Sequence, residues 1–165
     1  MPTLTALPTP RTSHRTTRAR PTPDQAWAVL ASGGPGEHWY ADAAPLRFRA
    51  ALDRLVGGLG APWPPPDGAL TAGDRAGFWQ VVAAVPPTGT GRGRLVLEAR
   101  VRAPGRVTLT VDVVPAGTGT DVTTTVRLDP RGVLGAAYLV VDLPAREVLT
   151  DLVHRRLLAE VEDRG

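Results

Sequence analysis

The chain has no cysteine. That excludes disulfides, a thiol nucleophile and any thiolate-held metal. It has no lysine either, so all 19 basic residues are arginine. Asparagine and isoleucine are also missing. These three residues share A/U-rich codons, so a GC-rich coding sequence accounts for their loss together. The missing lysine explains the high pI of 10.5, because arginine keeps its charge beyond about pH 12. The charge excess itself is small: 19 bases against 16 acids leave a formal +3. Only Arg11, Arg15, Arg18 and Arg20 cluster. A nucleic-acid binder would show a larger basic patch with interleaved aromatics, so no nucleic-acid partner is expected. No uncharged apolar run reaches the roughly 18 residues of a membrane span, so none is expected. Met1–Pro10 lacks the basic and apolar regions of a signal peptide, and a cytoplasmic location is the expectation.

At 165 residues the chain is expected to form one domain with an adequate core. Residues 1–13 read as a Pro/Thr-rich disordered tail, and 14–163 as the domain. His14–Arg20 suits a short edge strand. Thr22-Pro23-Asp24-Gln25 opens a helix over Pro23–Ala31, with Thr as N-cap and Pro at its first position. Ala26, Trp27 and Leu30 share one side of it, and Gly33-Gly34-Pro35-Gly36 ends it. Trp39-Tyr40 follows in a loop. A second helix, Pro45–Val56, places Phe48, Leu52, Leu55 and Val56 on one face and stops at Gly57-Gly58. The Trp63-Pro64-Pro65-Pro66 stretch reads as a stiff extended loop, because proline cannot serve a central strand.

From Arg75 to Asp129 the pattern changes to alternation, which assigns faces strand by strand. Trp79, Val81, Ala83 and Val85 share a side, as do Leu95, Leu97, Ala99 and Val101. Val107, Leu109, Val111 and Val113 form a third row, and Val122, Thr124, Val126 and Leu128 a fourth. Turns at Pro104-Gly105 and Gly117-Thr118-Gly119 make the hairpins consecutive. One wall is apolar with Thr124 as its single polar group, and the charges lie on the other.

Val133–Glu162 then reads as one long helix with a kink or break at Pro144. On a wheel of about 100° per residue, Val141, Ala145, Val148, Leu149, Leu152, Val153 and Ala159 fall on one side. Arg146, Glu147, Asp151, His154 and Arg155 lie on the other, with Asp151 and Arg155 as a surface pair. Tyr138, Asp142 and Arg156 project within the apolar sector. The expected class is α+β: a curved antiparallel sheet closing on a long C-terminal helix, with two short N-terminal helices.

Motifs that would announce chemistry are weak. Gly89-Thr90-Gly91-Arg92-Gly93 lies between strands and lacks the Lys-Ser/Thr ending of a phosphate loop. His14, His38 and His154 are widely separated, and His154 is expected to be solvated, so no metal is expected. Ser13 falls in the expected tail and Ser32 at a helix end, which argues against a Ser/His/Asp triad. No catalytic set or cofactor is expected.

Several stretches occur together in a characteristic order. They are Trp39-Tyr40, Leu52-Asp53-Arg54-Leu55-Val56-Gly57-Gly58, Gly73-Asp74 before Phe78-Trp79, and Pro104-Gly105-Arg106. Pro130-Arg131-Gly132-Val133-Leu134-Gly135 follows, with Tyr138 and Pro144. Over about Pro21–Val161 the chain resembles a bacterial domain of unknown function often fused behind short-chain-dehydrogenase-like NAD(P)-binding domains. That domain is similar to the SRPBCC superfamily, the polyketide cyclase/START-like helix-grip proteins. The chain departs from the pattern at Gly77, where the family has an acid, at Val107-Thr108, and at Leu139, where it favours aromatics.

The resemblance implies a helix-grip fold and a small hydrophobic ligand between sheet and C-terminal helix. Trp39, Tyr40, Trp79, Leu97, Leu109, Thr124, Tyr138, Asp142 and Leu152 are the expected lining. A cyclase/aromatase- or hydrolase-type enzyme using Tyr138, Asp142 or His38 is the alternative. A dehydrogenase-like protein partner is the third expectation.

Overall fold

The computed structural model describes residues 11–42, 63–99, 105–130 and 132–165. The expected helix Pro45–Val56, Val101 and Pro104 lie outside the described residues, as do the side chains of Tyr138 and Asp142. Among the described residues there are six strands, β1 (Arg11–Ala19), β2 (Arg75–Ala76), β3 (Trp79–Val85), β4 (Gly93–Ala99), β5 (Gly105–Ala116) and β6 (Gly119–Pro130), and three helices. These are α1 (Pro23–Leu30), α2 (Trp39–Asp42) and α3 (Gly132–Arg164). The strands form one antiparallel sheet in the order β1-β6-β5-β4-β3-β2, and α3 packs on β1, β6, α1 and α2. This is the expected α+β arrangement of an antiparallel sheet against a C-terminal helix.

Local chemistry explains most boundaries. Thr22 caps α1 through a reciprocal box with Gln25, and Pro23 occupies its first turn. Ala26, Val29 and Leu30 are buried and Trp27 packs against the core. The β5–β6 hairpin turns at Gly117, whose φ of 60° suits glycine. At Gly119 an added Cβ would fall against the Ala19 carbonyl oxygen, so glycine allows the end of β1 to close on the hairpin. Thr120 donates from its hydroxyl to the Pro21 carbonyl at 2.8 Å and holds the same corner. The Trp63 backbone exchanges two 2.8 Å hydrogen bonds with Gly77, which docks the proline stretch beside β2.

The alternation expected for β4, β5 and β6 is present. Leu95, Leu97, Leu109, Val111, Val113, Val122, Thr124, Val126 and Leu128 are all buried. In β3 it fails midway. A bulge between Val81 and Ala83 inserts Val82 into the ladder, so Trp79 and Val81 are buried whereas Val82 and Val85 are exposed. Four other differences concern the extent or type of elements. The first strand begins at Arg11, so Arg11–Ser13 belong to the sheet and not to the tail, and it pairs along its whole length with β6. Short β2 raises the strand count from the expected five to six. Trp39-Tyr40 opens a single helical turn, not a loop, and α3 continues through Pro144 without a break.

The largest correction is the rotation of α3. From Glu147 onward, where its side chains are described, the buried residues are Thr150, Val153, His154, Leu157, Glu160 and Val161, an arc centred on Leu157. Val148, Leu152, Arg155 and Ala159 are exposed. The buried arc is about 130° from the one that hydrophobicity marks. Thr150, His154 and Glu160 are polar, so a count of apolar residues turns the helix the wrong way.

Candidate functional site

Two regions gather the chemically informative side chains. The first is an aromatic corner where α2 meets β3. Trp39 and Tyr40 are fully buried and Trp79 nearly so. The Trp39 indole N–H donates to the Leu30 carbonyl at 3.1 Å and that of Trp79 to the Tyr40 carbonyl at 2.7 Å. The Tyr40 hydroxyl donates to the Ser32 carbonyl at 2.9 Å. His38 stacks on Tyr40 with centroids 5.0 Å apart, and Trp39 meets Tyr40 edge-on at 5.5 Å. These contacts tie α1, α2 and β3 into one corner whose polar tips end on backbone.

Leu97 and Leu109 lie on the adjoining inner wall, where they are direct cross-strand partners. Thr124 is on the same wall two strands along, but its hydroxyl meets His154. Leu152 stands apart. At 42% exposed it lies on the outer side of α3, away from the wall it was expected to help line.

The second region, missed by the sequence reading, is a polar seam between β1 and α3. β1 turns Ser13, Arg15 and Thr17 to the same side as Val126, Thr124 and Val122 of β6, since opposed residues in an antiparallel pair share a face. Ser13 donates to Glu147, and Arg15 donates to the other Glu147 oxygen at 2.9 Å and approaches Asp151 at 3.8 Å. Arg20 donates from its backbone N–H and its side chain to Glu162, at 2.9 and 2.8 Å. The expected Asp151–Arg155 pair is present at 2.9 Å. The spacing follows from geometry: Ser13 to Arg20 spans about 23 Å of strand, and Glu147 to Glu162 about 23 Å of helix. The two elements therefore run side by side and stay in register.

His154 lies within this seam, 4% exposed where a solvated residue was expected. Its Nδ1 is 2.9 Å from the Thr124 hydroxyl and its Nε2 is 3.0 Å from that of Thr17. Burial pushes its pKa below the ordinary value, the Asp151 charge acts upward, and the Arg15 charge acts downward. The ring is accordingly neutral at pH 7. The inner side of the sheet thus carries more polar groups than Thr124: Ser13, Arg15 and Thr17 from the edge strand and Thr120 from β6. Ser13, expected in a tail, belongs to this seam. The detectable signal was the alternation of Ser13, Arg15 and Thr17 opposite acids spaced along one helix edge.

Glu160 is also buried, at 5% exposed. It accepts from Arg156 at 3.0 Å, and Arg156 reaches on to Glu37 at 2.7 Å. Arg156 therefore bridges two acids at the α2 end of α3. Among the described residues, no three His, Asp or Glu side chains are grouped to hold a metal. Among them, too, no helix is long and apolar enough to cross a membrane.

An antiparallel sheet of six strands holding a C-terminal helix, with an apolar inner wall, defines the class as a helix-grip domain. Solved structures agree at the level of the fold. Protein Mll3558 of Rhizobium loti is similar at 18% identity over 92% of this chain and 97% of its own, with a TM-score of 0.50. Protein MLL2253 of Mesorhizobium loti is similar at 12% identity over 94% and 99%, with a TM-score of 0.51. No curated protein matches. A family model described as "Protein of unknown function (DUF2867)" matches residues 9–152, and the chain belongs to that family.

Proposed function

We propose that this domain binds a small hydrophobic molecule between the inner face of its sheet and α3. The observation that carries the reading is the footprint of the helix. Among the described residues, α3 packs on β1 and β6, at one side of the sheet. The apolar inner rows continue across β5, β4 and β3 through Leu109, Leu97 and Trp79, where α1 packs on β4 and β5. The buried residues of those rows include no charged side chain, which suits a neutral apolar ligand. In this reading Trp39, Tyr40, Trp79, Leu97, Leu109 and Thr124 form the lining. Leu152 is left out by its exposure.

Titration of the purified chain with Nile red tests the proposal. The expected result is a saturable fluorescence rise, weakened at least tenfold, or about 1.4 kcal/mol, by Leu97→Trp in a variant that still unfolds cooperatively. A signal that never saturates, or one that Leu97→Trp leaves unchanged, would refute it.

A further inference from the structure

Hydroxyl, imidazole and hydroxyl stand in line across the β1–α3 seam, and only the outer member is open to solvent. We propose that Thr17 is a nucleophile, with His154 as its general base and Thr124 as the positioning residue, and that it accepts acyl groups from activated esters. Thr17 is an exposed residue, and its Oγ1 lies 3.0 Å from Nε2 of His154. That ring is buried, so the base is shielded while the nucleophile is reachable. Nδ1 on the far side is held at 2.9 Å by Thr124, which is fully buried. With the ring proton on Nδ1 donated to Thr124, the Nε2 lone pair faces the Thr17 hydroxyl. A nucleophile within hydrogen-bond reach of a base that a third group orients is the arrangement covalent catalysis requires.

The step balances without a redox partner. Thr17 Oγ1 bonds to the carbonyl carbon, and the bond from that carbon to the leaving oxygen or sulfur breaks with its electron pair. The hydroxyl proton passes to Nε2 and then to solvent. Water attacking the resulting ester, with Nε2 again taking a proton, would restore the hydroxyl.

The neighbouring charges limit the substrate. Arg15 is two residues back on the same face of β1, and its guanidinium is taken up by Glu147 and Asp151. Asp151 is shared with Arg155. With these charges paired among themselves, Arg15 is not arranged to stabilise an oxyanion. The dyad therefore suits aryl esters and thioesters, whose leaving groups depart readily, and not amides. This reading concerns the outer edge of β1, so it stands or falls independently of what the interior binds.

Composition makes the test clean. With neither lysine nor cysteine in the chain, the usual acyl acceptors are missing. The full chain is treated with p-nitrophenyl acetate, and acetylation is located by peptide mass mapping while p-nitrophenolate release is followed. The expected result is acetyl on Thr17, lost at least tenfold in Thr17→Val and in His154→Gln and restored by Thr17→Ser. Thr124→Val should move the pH profile of labelling, which a merely structural role would not. Acetyl found only on the α-amino group, tyrosine or histidine would overturn the proposal. So would labelling of Thr17→Val at the wild-type rate, and that exposed, nearly isosteric change tests the idea even if His154→Gln unfolds.

Discussion

Pairing between His154 and Thr124 can be measured as a coupling energy. Alanine at His154 would mix a cavity with a lost hydrogen bond, so His154→Leu is the better perturbation. It leaves the Thr124 hydroxyl, which is fully buried, without its imidazole partner. The cost of such a group is about 1–3 kcal/mol. Thr17 is exposed and can turn to water, so it adds little. Thr124→Val leaves Nδ1 facing a methyl group and costs about the same. In the double variant both partners become apolar with similar shape, which is nearly neutral. The cycle should therefore show the double variant more stable than the sum of the singles by roughly 1–3 kcal/mol. Urea unfolding followed by circular dichroism reads this directly, and a domain of this size shifts its Tm by about 2–4 °C per kcal/mol.

Acidification gives the same pair a second readout. The unfolded chain protonates this histidine near pH 6.5, whereas burial lowers the folded value. Between the two values the unfolded state holds more protons, so stability falls as pH drops below about 6.5. The loss stops once the folded value is passed, and His154→Leu should remove this component. Effects that add within about 0.5 kcal/mol, together with an unchanged pH curve, would refute the reasoning.

Other substitutions check the packing. Leu157→Ala, at the centre of the buried arc, should cost about 2–5 kcal/mol, and Leu152→Ala, outside it, within about 0.5 kcal/mol. Equal costs in urea unfolding would mean the helix is turned otherwise. Gly119→Ala should destabilise by about 1–3 kcal/mol, because its methyl meets the Ala19 carbonyl. Exchange protection of the β1 amides should fall with it. Trp79→Phe removes one buried hydrogen bond to the Tyr40 carbonyl and should leave that acceptor unpaired, at about 1–3 kcal/mol by thermal unfolding.

Much of the sheet was legible because β4, β5 and β6 alternate in the simplest way, one face apolar and the other polar. β3 was not legible past Val81. Its run Val81-Val82-Ala83-Ala84-Val85 is apolar on both faces, so an inserted residue leaves no mark in the pattern. The capping of α1 was readable from Thr22, Pro23 and Gln25, since it depends on neighbours in sequence. The face of α3 was not, because it depends on neighbours in space. Thr150, His154 and Glu160 are buried polar residues, and the partners of His154 lie on β1 and β6. For the same reason Trp39, Tyr40 and Trp79 were expected as pocket lining, but their contacts with one another and with α1 were not legible, nor was the β1–α3 seam. A single acid or threonine on a helix looks solvated until the strand beside it is known.

The central proposal is that a small neutral molecule binds between the inner face of the sheet and α3. Native mass spectrometry of protein purified without detergent tests it most directly. The account predicts a population heavier than the bare chain, returned to the bare mass by organic extraction and shifted again on adding an apolar ligand. A single species at the bare mass that takes up nothing across a panel of neutral lipids and aromatics would contradict it.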